Sequence, residues 1–281
     1  MNSESIKYEE NKIRIRDGTE LFYRYWRPPE PKAVIIGVHG YAEHSGRYMH
    51  VGEFFAKEGF GFYIHDHRGH GRSGGERGYV NKFQEFIDDL DEFLEHVKTS
   101  EGVDKVFLLG HSMGGLIGII YAIQHPEKLK GLVTSGAGLK TGIRVSGVKI
   151  AFMKLISTIK PTYRPDIKID PNALTNDETV NRAYSEDPLV FKQGTIKLLL
   201  EMIKAMEWAN QNADKLKVPI LMMHGANDEI VPPEASKEFF EKVPIEDKQL
   251  IILPERKHEI FNDINKEEAL NKALEWIKAH L

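Results

Sequence analysis

Residues 106–116 read VFLLGHSMGGL: four apolar residues, then a serine with glycine two positions before it and two after, leading into a second apolar run, LIGIIYAI at 116–123. Val106–Leu109 has the length and apolar content of a buried strand, and the run after the serine that of a buried helix. In a parallel sheet, ligands bind beyond the carboxyl ends of the strands, so Ser112 lies where chemistry is done. A GxSxG sequence at a strand-to-helix turn holds its serine in a strained backbone conformation, and small flanking residues such as Gly110 and Gly114 prevent clashes with the neighbouring strand and helix. The plainer reading is a glycine-rich turn with serine as a helix cap. A phosphate cradle is disfavoured, because no GK[ST] follows Ser112 and GxGxxG is absent there.

Outward from this turn, short apolar runs recur at Ala33–Val38, Gly61–Ile64, Leu132–Ser135, Pro219–Met223 and Leu250–Leu253. Between them lie segments with apolar residues three and four apart, such as Lys82–Val97 and Lys266–Leu281. Such alternation predicts an α/β protein with a mostly parallel sheet covered on both faces. Strands near Ile13–Ile15 and Leu21–Trp26, with Asp17-Gly18 between them, predict an antiparallel hairpin at one edge and bring the count to eight. The rhythm breaks between Leu139 and Lys217. There Gly147–Lys160 and Thr195–Ala209 read as helices around a proline-punctuated loop at 161–171, with no strand between them. The expected organisation is a core of residues 1–138 and 218–281, with 139–217 inserted as a helical cap.

Composition narrows the function. The 281 residues are 41% hydrophobic, enough for one large domain. Thirty-eight basic and 42 acidic residues in mixed order, net −4, leave no nucleic-acid footprint. With no cysteine, disulfides, thiolate metal sites and cysteine nucleophiles are excluded. The first 18 residues are polar and charged, and no apolar stretch approaches the ~18 residues needed to span a bilayer. A cytoplasmic location, either free or peripheral at a membrane, is the expectation.

A serine hydroxyl needs a base within hydrogen-bond reach, itself oriented by a carboxylate. On this sheet the chain order is serine, acid, histidine. Asp228 lies in the polar loop after Pro219–Met223 and His258 in the loop after Leu250–Leu253, so two successive strands deliver them to the edge that carries Ser112. The plainer reading of Asp228 is a turn residue or cap before Pro232. His280, in the last helix, suits compensation of the helix dipole instead. The oxyanion formed on attack needs two donors, expected from the backbone N–H of Met113 and of Tyr41, which follows His39-Gly40.

These residues resemble the α/β-hydrolase family, and within it the monoacylglycerol lipase branch, over nearly the whole chain. HGYAEHSGRY at 39–48 is similar to that branch's oxyanion segment, DHRGHGRSGGERGYV at 66–80 to its next segment, GHSMGG at 110–115 to its nucleophile turn, and DPL at 187–189 to a motif in its cap. Glu255-Arg-Lys257 departs from the small residue and aromatic that often precede the family's histidine. The resemblance implies Ser112 as nucleophile, Asp228 as acid, His258 as base, Tyr41 and Met113 as oxyanion donors, a monoacylglycerol substrate, and no metal or organic cofactor. Glu43 and His44 either bind a glycerol hydroxyl or buttress their loop. Ile150, Met153 and Ile156 on the first cap helix either face the acyl chain or a membrane surface, or pack on the core. Another esterase, a lysophospholipase or an acyltransferase would carry the same triad, and a binding protein on this fold would have lost it. The sequence leaves oligomeric state open.

Overall fold

Side chains alternate across each central strand, and the alternation sorts the core into two layers. Val106 and Leu108 pack into one hydrophobic cluster, while Phe107 and Leu109 pack into the other. Ile220 and Met222 divide in the same way from Leu221 and Met223. Such strands have no polar face, so they must be sandwiched between helices.

The computed structural model describes residues 6–142 and 147–281, the side chains of 147–150 excepted. The chain runs through β1 (Lys7–Arg14), β2 (Glu20–Arg27), β3 (Val34–Val38), α1 (Met49–Lys57), β4 (Gly61–His65), α2 (Gln84–Glu101), β5 (Val106–His111) and α3 (Met113–Gln124). It continues through β6 (Leu129–Ser135), α4 (Gly147–Ile159), α5 (Glu178–Glu186), α6 (Ile196–Gln211), β7 (Ile220–Gly225), α7 (Glu234–Lys242), β8 (Lys248–Leu253) and α8 (Lys266–Ala279). The eight strands form one sheet in the order β1-β2-β4-β3-β5-β6-β7-β8. β1 and β2 are antiparallel, β2 meets β4 antiparallel, and β3 to β8 run parallel. One core cluster lies against α2, α3, α6 and α7, and the other against α1 and α8.

Two differences from the expected elements have physical reasons. β1 begins at Lys7, well before the apolar residues near Ile13, because its backbone pairs along the whole of β2 while most of its side chains face solvent. α5 carries a polar sequence, ETVNRAYSE, and is started by the Asp177 side chain, which accepts from Thr179 N–H at 2.9 Å. Between β6 and β7 the chain supplies α4, α5 and α6 and no strand, among the described residues. α6 is capped by Thr195, whose hydroxyl accepts from Leu198 N–H at 3.2 Å, and its Leu198, Ala205 and Ala209 join the core cluster shared with α3. No helix among the described residues is long and apolar enough to cross a membrane.

Candidate active site

β5 ends at His111, and the chain turns into α3 through Ser112 at φ 53°, ψ −117°. That region of backbone space costs an ordinary residue ~1–3 kcal/mol and persists only where surroundings enforce it. The surroundings here are backbone on backbone. A Cβ on Gly114 would sit 2.0 Å from the Val38 carbonyl oxygen, and one on Gly110 2.5 Å from that of Gly114. The turn therefore locks against the end of β3, and Ser112 is partly exposed between buried neighbours. Its side chain makes no capping bond to its own helix.

The next two parallel strands, β6 and β7, and then β8 complete the edge. Asp228, three residues past β7, is buried, and its Oδ1 accepts from the N–H groups of Ile230 and Val231, each at 2.9 Å. Its Oδ2 accepts from Nδ1 of His258 at 2.7 Å. That bond fixes the proton on Nδ1 and leaves Nε2 of the neutral ring as an acceptor. The His258 ring lies against that of His111, the residue before Ser112, with centroids 4.7 Å apart. Serine turn, carboxylate and imidazole are thus brought to one sheet edge. Burial alone would lower the His258 pKa, but the Asp228 charge and hydrogen bond outweigh it, with Glu259 and Glu43 adding, and hold it above the ordinary imidazole value. For Asp228, burial acts upward and is outweighed by His258 and His224, so the carboxyl stays well below its usual range.

Facing this edge is the loop after β3. A Cβ on Gly40 would lie 3.2 Å from Ser112 Cβ, so the loop passes directly over the Ser112 turn. Among the described residues, no hydrogen bond takes up the amides of Tyr41 and Met113. The loop is braced from three sides. Behind it, His67 N–H donates to His39 Nε2 at 2.9 Å, which puts the His39 proton on Nδ1, donating to Gly40 C=O at 2.8 Å. Burial and the adjacent histidines keep His39 and His67 neutral. On the cap side, the Tyr41 hydroxyl accepts from Gly194 N–H at 2.7 Å, and burial pushes its pKa up to about 12.

Glu43 supplies the third brace. Its Oε1 accepts from Gly40 N–H at 2.6 Å and from the Tyr48 hydroxyl at 2.8 Å, while Oε2 takes Arg47 Nη1 at 2.7 Å. Both oxygens are occupied and the side chain is buried, which are the contacts of a buttress. His44 is likewise buried: Nδ1 accepts from Gly46 N–H at 3.1 Å, and Nε2 donates to Asp187 at 2.8 Å. The DPL motif therefore pins the inserted segment to the loop after β3. Arg47 also grips Glu259, the residue after His258, through two bonds of 2.6 and 2.7 Å. Burial pushes the Glu43 pKa up, whereas for Glu259 the paired Arg47 overrides burial and lowers it. Sequence reasoning missed this Arg47–Glu259 link, and it missed His224, which also reaches Asp228.

Of the cap residues, Met153 and Ile156 are half-buried on α4, and the Ile150 side chain lies outside the described residues. Two cavities adjoin the site instead, sharing Tyr41, Lys168 and Ile169 as walls. The larger, about 300 Å³, is lined by Ile167, Ala173, Leu199, Met202 and Ile230. The smaller, about 200 Å³, lies between Ala42, Tyr184 and Phe191. Among the described residues, no group of three or more His, Asp or Glu is placed to hold a metal ion.

A serine raised on such a turn, at an edge where later strands deliver a carboxylate and an imidazole, is the arrangement of an α/β-hydrolase. The chain belongs to the serine aminopeptidase S33 family, whose model matches residues 29–265. It is similar to the monoacylglycerol lipase of Mycolicibacterium smegmatis, at 34% identity over 94% of this chain and 95% of that one. It is 31% identical to the Homo sapiens monoglyceride lipase, covering 93% of this chain and 91% of the relative. Among solved structures, the monoacylglycerol lipase of Paleococcus ferrophilus matches with a TM-score of 0.85 at 34% identity, over 93% of this chain and 99% of that one.

Proposed function

We propose that this protein is a serine hydrolase that cleaves the ester of a monoacylglycerol to glycerol and a free fatty acid. The observation that carries it is the Asp228–His258 hydrogen bond beside the strained Ser112 turn. His258 Nε2 takes the proton of Ser112 Oγ as that oxygen attacks the ester carbonyl. Tyr41 and Met113 N–H stabilise the oxyanion, and removing one such donor typically costs about 10²–10³ in rate. Collapse breaks the bond to the glycerol oxygen, which takes its proton from His258. Water, deprotonated by the same nitrogen, then releases the fatty acid from Ser112. Asp228 stays ionised throughout and orients the ring.

Residues 139–217 act as the cap and the remainder as the core. The apolar cavity walled by Leu199, Met202 and Ile230 suits an acyl chain, and the names of the relatives support a single-chain glyceride. Phe152, Leu155 and Ile159 on α4 are 63%, 59% and 80% exposed, a face suited to a lipid surface. A fluorophosphonate probe tests the chemistry: it labels Ser112 in the native enzyme and loses that label in His258→Ala. Labelling elsewhere, or none, overturns the reading.

A further inference from the structure

A second imidazole beside the proposed triad has no part in the steps above. His224, the fifth residue of β7, is fully buried. Its Nε2 lies 3.0 Å from Asp228 Oδ2 and 2.9 Å from the Val231 carbonyl oxygen. Both partners are acceptors, so Nε2 carries a proton. Nδ1 lies 2.7 Å from the Ser236 hydroxyl on α7, which can donate to that nitrogen or accept from it. Asp228 thus has four donors: two amides on Oδ1, and two imidazoles, His258 and His224, on Oδ2.

We propose that His224 is a positioning residue for this reaction: by donating to the oxygen that holds His258, it orients the Asp228 carboxylate and limits its basicity, with Ser236 setting the tautomer. This rests on the triad reading given above. An ionised carboxylate in a buried site is a strong acceptor, and each donor it holds spreads its charge away from the others. Take His224 away and Oδ2 interacts only with His258. The carboxylate is then a stronger partner for the imidazolium, so the His258 pKa rises and a smaller fraction of the ring is neutral at a given pH. Its orientation is also less restrained, because the two amides hold only Oδ1.

Other charges surround the pair and set the background against which this effect is read. Glu234 stands near His224 at the start of α7, Glu259 adjoins His258, His111 packs against it at a tilt from the end of β5, and Glu43 with Arg47 faces it from the loop after β3. None of them bonds to Asp228 Oδ2 among the described residues, so the effect of His224 is separable from theirs.

The test compares His224→Leu, His224→Gln, Ser236→Ala and Asp228→Asn on a soluble ester, with thermal melting in parallel. The expected result for His224→Leu is a fall in kcat of about 10- to 100-fold, the range seen when a buried partner that orients a functional ligand is removed. KM stays within about twofold, and the acidic limb of kcat/KM moves up by half a pH unit or more. Gln, which returns an N–H donor, restores most of the rate, and Ser236→Ala shifts the limb in the same direction by less. If His224→Leu does not fold, His224→Gln and Ser236→Ala carry the comparison. An unmoved acidic limb in every folded variant overturns the proposal, whatever happens to the melting temperature, and leaves His224 as packing. Should Asp228→Asn keep the wild-type rate, where a triad loses about 10⁴-fold, the triad reading itself fails.

Discussion

In the proposed mechanism, His258 concentrates the chemistry of this site in one nitrogen. Its Nδ1 is committed to Asp228, and only a neutral Nε2 can accept the Ser112 proton. Because Asp228 holds the His258 pKa above the ordinary value of about 6.5, activity falls as pH drops through that raised pKa. The expected kcat/KM profile therefore has an acidic limb centred above about 6.5 and levels off on the alkaline side of that limb. Steady-state rates from pH 5 to 9 on an uncharged ester check this, and a limb centred below that value contradicts the electrostatics. The convergence of the Ser112 turn, Asp228 and His258 on one sheet edge was legible in the sequence because each follows an apolar strand run and sits in the chain order proposed for this sheet. His224 was not, since its partners Asp228 and Ser236 meet it only when the loop after β7 folds back, and a histidine at the end of a strand has no pattern of its own.

Elements place these residues, and backbone packs tightly on backbone where β3, β5 and α3 converge. With its Cβ position 2.0 Å from Val38 O and 2.5 Å from His39 O, Gly114 admits no side chain unless α3 moves off the sheet. Overpacking of this kind costs about 1–3 kcal/mol or more. Gly114→Ala is expected to lower the urea midpoint and to reduce kcat more than a destabilised variant elsewhere, because the Met113 amide moves with the helix. Urea melts paired with initial rates check it; an unchanged midpoint contradicts the close approach. The central strands were readable from their apolar runs alone, and their boundaries lie within a few residues of expectation. The Arg47–Glu259 clamp was invisible for the opposite reason. Its ends are 212 residues apart, and nothing in EHSGRY or KHEI tells one buried charge where the other is.

At the scale of the whole molecule, the two-layer core carries a site open toward the inserted helices, and α4 turns Phe152, Leu155 and Ile159 outward. These three stay largely exposed among the described residues, and each buried methylene would contribute about 0.8 kcal/mol on entering a lipid interface. The expected outcome is that the wild type co-sediments with neutral phosphatidylcholine vesicles while Phe152→Ser/Leu155→Ser/Ile159→Ser does not, with turnover of a soluble ester unchanged. Equal binding by both contradicts a role for this face. The mixed surface charge, net −4, makes that contact weakly salt-dependent. The most direct measurement of the central claim is product release from matched mono-, di- and triacylglycerols and a lysophospholipid, by wild type and Ser112→Ala side by side. Monoacylglycerol is expected to be cleaved fastest and Ser112→Ala to release nothing; turnover confined to the lysophospholipid or to larger glycerides, or retained by Ser112→Ala, would contradict a monoacylglycerol-cleaving serine hydrolase.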